Sequence, residues 1–179
     1  LQDRLGTADA SASTAFACGT VGVQADQTHY SDGFGLFLPL QHGVAVAARR
    51  SATPRITLAG ETSVWTDEAS SPPPWLVAVR RTLEEILAEQ QVEVAVVNTV
   101  PRVCRDGALA ALAVAVIRAI RALDVPTVID VNSIEGLRDD LVPLLAAEIG
   151  AALNSPYRTG YLLATFGGPE SEFTLVDPA

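Results

Sequence analysis

The chain contains no lysine: all twelve of its basic residues are arginine. Any mechanism that needs a lysine, as a Schiff-base former or as a phosphate ligand, is therefore excluded. Basic residues are scarce as well, and the net charge is −9. Nucleic-acid binding rests on neutralising phosphates with a basic face, so a nucleic-acid partner is not expected. Cysteine is limited to Cys18 and Cys104, far apart in sequence. Reduced thiols are the expectation, with neither a disulfide nor a zinc site. Methionine is absent altogether, so the expected N-terminus is a trimmed one.

Long apolar runs are missing too. About half of the residues are hydrophobic, but Arg, Asp or Glu interrupts the Ala/Val/Leu/Ile stretches every few residues. No segment reads as a membrane span, and the start Leu1-Gln2-Asp3-Arg4 does not read as a signal peptide. A cytoplasmic protein without a membrane partner is expected. The 179 residues fit one domain, and a domain near this size hides roughly 70% of its unfolded-chain surface.

Residues 1–14 read as a polar, Ala/Ser-rich lead-in, and residues 15–179 as a single domain. Strands are predicted at 15–24, within 36–50, at 55–59 and at 92–100. A loop is predicted over 62–74, closed by three prolines that no helix interior tolerates. A helix follows to about 90, with Trp75, Val79, Leu83, Ile86 and Leu87 at helical spacing. The most apolar helix is predicted at 107–123, buried on most sides. A further helix is expected at 139–153, and a closing hairpin with arms at 161–166 and 172–176. Residues 125–131 fit a strand or a loop. The class is α+β, with a mixed β-sheet packed against helices.

The stretch A-C-G-T-V-G-V-Q-A-D-Q-T-H-Y-S-D-G-F, residues 17–34, is the most specific motif. It resembles the galactokinase signature of the GHMP kinase superfamily, P-G-R-V-N-L-I-G-E-H-T-D-Y-N-D-G-F, and aligns without a gap. Gly19, Val21, Thr28, Tyr30, Asp32, Gly33 and Phe34 match. Leu36, Leu40, Gly43 and the run 45–50 continue the likeness. The resemblance implies a GHMP-kinase N-terminal-domain fold, similar to the second domain of ribosomal small-subunit protein five.

The departures fall on residues that handle sugar in the family. The family arginine near the reaction centre is here Thr20. The sugar-contacting Glu-His pair becomes Asp26-Gln27, and the next sugar-binding aspartate becomes His29. These residues and Asp32 form the candidate sugar pocket. Asp26 reaches one methylene less than Glu, and Gln27 still hydrogen-bonds a hydroxyl. His29 exchanges an obligate acceptor for a mixed donor and acceptor. Each buried group left unpaired would cost about 1–3 kcal/mol.

The family phosphate loop, V-P-x-G-x-G-L-S-S-S-A-A-L, has its counterpart in residues 100–112. Val100-Pro101 and Ala110-Ala111-Leu112 match, and the interior does not. Family glycines let backbone N–H groups approach phosphates, but Val103 and Arg105 carry side chains there. The serines become Gly107, Ala108 and Leu109. Asp106, just before the predicted helix, is a favoured N-cap, and its carboxylate would occupy the anion's place. Arg102 and Arg105 point the other way, since two guanidinium groups can hold an anion. The solvated or salt-bridged alternative stays open for them.

The family's catalytic aspartate, in G-x-P-C-G-I-M-D-Q-x-A-S, aligns with Tyr161 when Pro156, Ala164, Phe166 and Gly167 set the register. Tyrosine, with an unperturbed pKa of about 10, replaces a carboxylate poorly. No catalytic residue is therefore assigned, and His29 and His42 lack metal-ligand spacing. Trp65 and Trp75 read as packing residues. Asp139 and Asp140 suit a helix start.

The resemblance implies a degenerate galactokinase-like domain, without kinase activity and without a cofactor, that binds a small sugar-like ligand or a protein. An active ATP- and magnesium-dependent sugar kinase with a rearranged site is the alternative. A structural dimerisation module is a third reading. The likeness covers only the N-terminal half of such an enzyme. The implied cleft then has one wall, to be covered by a partner protein or a second copy.

Overall fold

A computed structural model describes residues 12–24, 34–52, 55–59, 64–65, 74–87, 92–123, 127, 140–155, 157–167 and 174–176. The strands are β1 (Ser13–Gln24), β2 (Gly35–Arg50), β3 (Arg55–Ala59), β4 (Val64–Trp65), β5 (Val92–Asn98) and β6 (Thr174–Val176). The helices are α1 (Pro74–Ile86), α2 (Arg105–Ala122), α3 (Val142–Leu153) and α4 (Thr159–Gly167), and a 3-10 turn spans Arg102–Cys104. Among the described residues no helix is long and apolar enough to cross a membrane.

The sheet runs in the order β1-β2-β5-β3-β4. The β3–β5 pair is parallel and the others are antiparallel. β2 is long enough to hold two neighbours on one flank. Its second half pairs with β5, and Gly35–Phe37 pair with β6. Between them, Thr99 closes the β5 ladder by donating its amide and its hydroxyl to the Gly43 carbonyl, both at 2.9 Å.

The helices cover one face of the sheet. α2 is apolar on nearly every side because it is packed on two sides. Leu112, Val114, Val116 and Ile120 join Val44, Val46, Val94 and Val96 against the sheet. Ala110, Ala113 and Ile117 face Leu141, Leu145, Leu162 and the rest of the α3–α4 layer. α1 begins at Pro74, where the missing N–H costs nothing and φ is already helical. Its Leu76, Val79, Leu83 and Ile86 are buried as the spacing predicts. Trp75 packs against both clusters.

Residues 161–166 are not a hairpin arm: they lie in α4, and β6 pairs with β2. A short apolar run such as Tyr161-Leu162-Leu163-Ala164-Thr165-Phe166 suits either period. Packing decides here, because Tyr161 and Leu162 bury against Phe37 and α2. β1 begins at Ser13, so the lead-in ends before residue 14. The Ser13 hydroxyl donates to the Ala119 carbonyl at 2.6 Å and ties the strand start to α2. Val64 and Trp65, expected in a loop, pair with Thr57 and Ile56 as β4. The third predicted helix begins at Val142. The strand-or-loop segment at 125–131 lies outside the described residues except for Thr127.

One irregularity positions everything that follows. The β1–β2 register shifts between Cys18 and Thr20. Before the shift, Ala17 and its partner Val44 face the core. After it, Gly22 stands opposite Phe37, which is buried against α4. The bulge reverses which residues of β1 point inward and turns Thr20 toward the helices.

Candidate functional site

Thr20, which the resemblance aligns with the family arginine, is 3% exposed. Its hydroxyl lies 3.3 Å from the Thr165 hydroxyl, which donates to the Tyr161 carbonyl at 2.8 Å. Thr165 is one helical turn beyond Tyr161 on α4, so the i, i+4 spacing of the helix builds this chain of bonds. The Tyr161 ring is buried and meets Phe37 edge-on, with centroids 5.0 Å apart. Thr20, Thr165, Tyr161 and Phe37 thus meet in one buried cluster made of hydroxyls and aromatic rings. The sequence reading missed Thr165 because it placed this segment in a strand. Read as a helix, the spacing from Tyr161 would have found it.

The start of α2 closes the cluster from the third side. A Cβ added to Gly107 would stand 1.7 Å from the Thr20 carbonyl oxygen and 2.7 Å from its carbon. Only glycine permits the helix to touch the strand backbone there. α2 then runs along β1, and Arg118 donates to the Phe16 carbonyl at 2.9 Å. The helix thereby caps part of the free edge of a strand that carries no charge of its own.

Asp106 does not cap the helix. It sits inside the first turn, and Cys104 occupies the N-cap position without a side-chain cap bond. Its carboxylate still favours the positive end of the helix dipole. The Arg105 Nε pairs with Asp106 Oδ1 at 3.2 Å. The Asp106 carbonyl accepts a 2.5 Å bond from the Tyr157 hydroxyl. Tyr157 is buried, and burial above all, then the neighbouring Asp106 carboxylate, holds its hydroxyl well above the ordinary tyrosine value. Tyr157 had no role in the sequence reading. Nothing in its local pattern distinguishes a tyrosine between α3 and α4 whose hydroxyl reaches the start of α2.

The residues between Pro101 and Gly107 do not form an open loop. Arg102–Cys104 wind into the 3-10 turn, and α2 starts directly afterwards. Arg102 and Arg105 are exposed, and Val103 is 92% exposed. Ala108 is half-buried and packs on the sheet-side core. Neither Cys18 nor Cys104 is in a disulfide, and both are half-buried. The candidate sugar-pocket residues Asp26, Gln27, His29 and Asp32 lie outside the described residues, as does Asp139. Asp140 is exposed just before α3. Among the described residues, no three His, Cys, Asp or Glu side chains gather as a metal site would require.

No protein-family model matches the chain, and no curated protein matches it. Solved structures do. Homoserine kinase from Cytophaga hutchinsonii aligns with a TM-score of 0.57 at 22% identity, over 95% of this chain and 50% of its own. The galactose complex of galactokinase from Lactococcus lactis gives a TM-score of 0.65 at 14% identity, over 98% and 49%. Mevalonate kinase from methicillin-resistant Staphylococcus aureus gives 0.54 at 14%, over 92% and 55%. The chain therefore has a GHMP-kinase-like fold, a mixed sheet with helices on one face. It spans about half the length of the solved structures it matches.

Proposed function

We propose that this domain is a GHMP-fold binding module that does not transfer phosphate. The observation that carries this reading is the start of α2. A nucleotide's phosphates need free backbone N–H groups and room for the backbone to approach. Here the segment is wound into helical turns that bear Val103 and Arg105 side chains. The Asp106 carboxylate stands in the first turn, and Gly107 is pressed on Thr20. These residues do not fit a triphosphate, and neither ATP nor magnesium is a cofactor of this domain. The cluster of Thr20, Thr165 and Tyr161 contains neither a carboxylate nor a basic side chain that could serve a phosphoryl group.

The ligand is a small sugar-like molecule held by Asp26, Gln27, His29 and Asp32, or a protein partner. Gln27 and His29 offer hydrogen bonds to hydroxyls, and the nearby acids accept from them. Melting temperature measured against a panel of monosaccharides tests the ligand reading. A rise with one sugar, abolished by Gln27→Ala, is the expected result. If no sugar raises the melting temperature, the sugar pocket is discarded and the protein-partner reading stands alone. ATP-dependent phosphorylation of any sugar in the panel would overturn the proposal.

A further inference from the structure

The segment between β1 and β2 carries Asp26, Gln27, His29 and Asp32, the four residues proposed to hold a ligand. Its two ends meet different neighbours. Gln24, the last residue of β1, pairs with Leu36 directly after the register shift that begins at Gly22. Gly35, Leu36 and Phe37, the first residues of β2, pair on their other flank with Val176, Leu175 and Thr174 of β6. A strand of three residues is weak alone, and the shift interrupts the β1 ladder. The Phe37 ring supplies the missing hold on this corner of the sheet. It is 3% exposed and reaches α4, where it meets the Tyr161 ring edge-on at 5.0 Å. Two glycines make room for it. A Cβ on Gly160 would stand 2.8 Å from Phe37 Cζ, and a Cβ on Gly35 would stand 2.6 Å from Phe37 Cε2. Both distances fall inside the roughly 3.5–4 Å at which two carbons rest.

We propose that Phe37 is a positioning residue for this segment: its ring, held between Gly35, Gly160 and Tyr161, ties the point where the segment rejoins the sheet to α4. The other end is tied to the same helix. Thr20, on the strand that leads into the segment, meets Thr165 of α4 through its hydroxyl at 3.3 Å. Both flanking strands thus take their position from one helix, at residues one turn apart. Gly22 of β1 and Thr174 of β6 stand opposite Phe37 on either side, so a displaced ring moves both neighbours of β2. Recognition of a sugar-like molecule requires several polar groups to be placed to within about half an ångström by supporting residues. A segment loosened at one end would have to be ordered on binding, and affinity would fall. The ligand in this inference is that of the binding reading, on which it rests.

Gly160→Ala drives a methyl group into the ring, and Phe37→Leu in the same chain removes Cζ and makes room for it. Hydrogen exchange is read at the amides of Val23, Gln24, Gly35, Leu36 and Phe37. Calorimetry reads the affinity for the monosaccharide that raises the wild-type melting temperature. In Gly160→Ala, exchange at these amides and the sugar dissociation constant should each rise roughly tenfold, while the amides of β5 exchange as in the wild type. The double variant should recover most of both changes. Phe37→Leu alone, which shortens the ring without a clash, should give a smaller rise in both and serves if Gly160→Ala does not fold. Unchanged exchange overturns the proposal. So does raised exchange with unchanged sugar affinity, or a double variant no better than Gly160→Ala. If the wild type binds no sugar, the ligand reading fails and the positioning role falls with it. That failure is told apart from the others because exchange still rises in Gly160→Ala and recovers in the double variant.

Discussion

The two faces of the β1–β2 hairpin differ sharply, although the same few residues build both. On the helix side, Thr20 and Gly22 are inward, Gly107 touches the strand backbone, and hydroxyls are paired. On the other side, Val23, Phe34 and Leu175 are open to solvent. One side is sealed by helix packing, and the other carries apolar side chains open to solvent.

The largest loss is expected at Gly107. Gly107→Val places atoms inside the Thr20 backbone, and a loss of about 3 kcal/mol or more is expected by urea unfolding. Near-wild-type stability would mean that α2 does not rest on β1.

Tyr157→Phe comes next, at about 1–1.5 kcal/mol, through loss of the bond to the Asp106 carbonyl. It also carries a pH signature. The folded hydroxyl holds its proton above the ordinary value near 10, whereas the unfolded chain releases it there. The stability tied to the neutral phenol is complete below pH ~10 and falls progressively above it. Stability should therefore drop less steeply above that pH in Tyr157→Phe than in the wild type. Equal slopes would contradict the buried hydroxyl.

Thr165→Val sharpens the contrast on a smaller scale. It leaves the Thr20 hydroxyl without its Thr165 partner, at about 1 kcal/mol. The double variant Thr20→Val/Thr165→Val should cost less than the sum of the two singles, because neither hydroxyl is then stranded. Simple additivity would show that the pair does not interact. On the open face, Val23→Lys should change monomer stability by no more than ~0.5 kcal/mol, in contrast with every substitution on the sealed side.

How much of this was legible depends on the element. The helical spacing of Val79, Leu83 and Ile86 and the β-branched run at 92–98 announce α1 and β5. The two-sided burial of α2 follows from its composition. The fold class was legible as well, through the motif at residues 17–34 and the Val-Pro and Ala-Ala-Leu ends of the phosphate-loop counterpart. The segment at 159–167 was not. Its periodicity is ambiguous, and contacts with Phe37 and Ile117, distant in sequence, decide for a helix. The register shift at Cys18–Thr20 was also hidden, since a bulge is a property of two strands together. Both the sealed cluster and the open face depend on that shift, which is why pattern reading along one strand finds neither.

With Asp106 in its first turn and no glycine at Val103 or Arg105, the start of α2 is expected not to bind a nucleotide. Titration calorimetry of the chain with Mg–ATP tests it most directly. No saturable heat up to millimolar nucleotide is the predicted result, and binding with a micromolar dissociation constant would contradict the account.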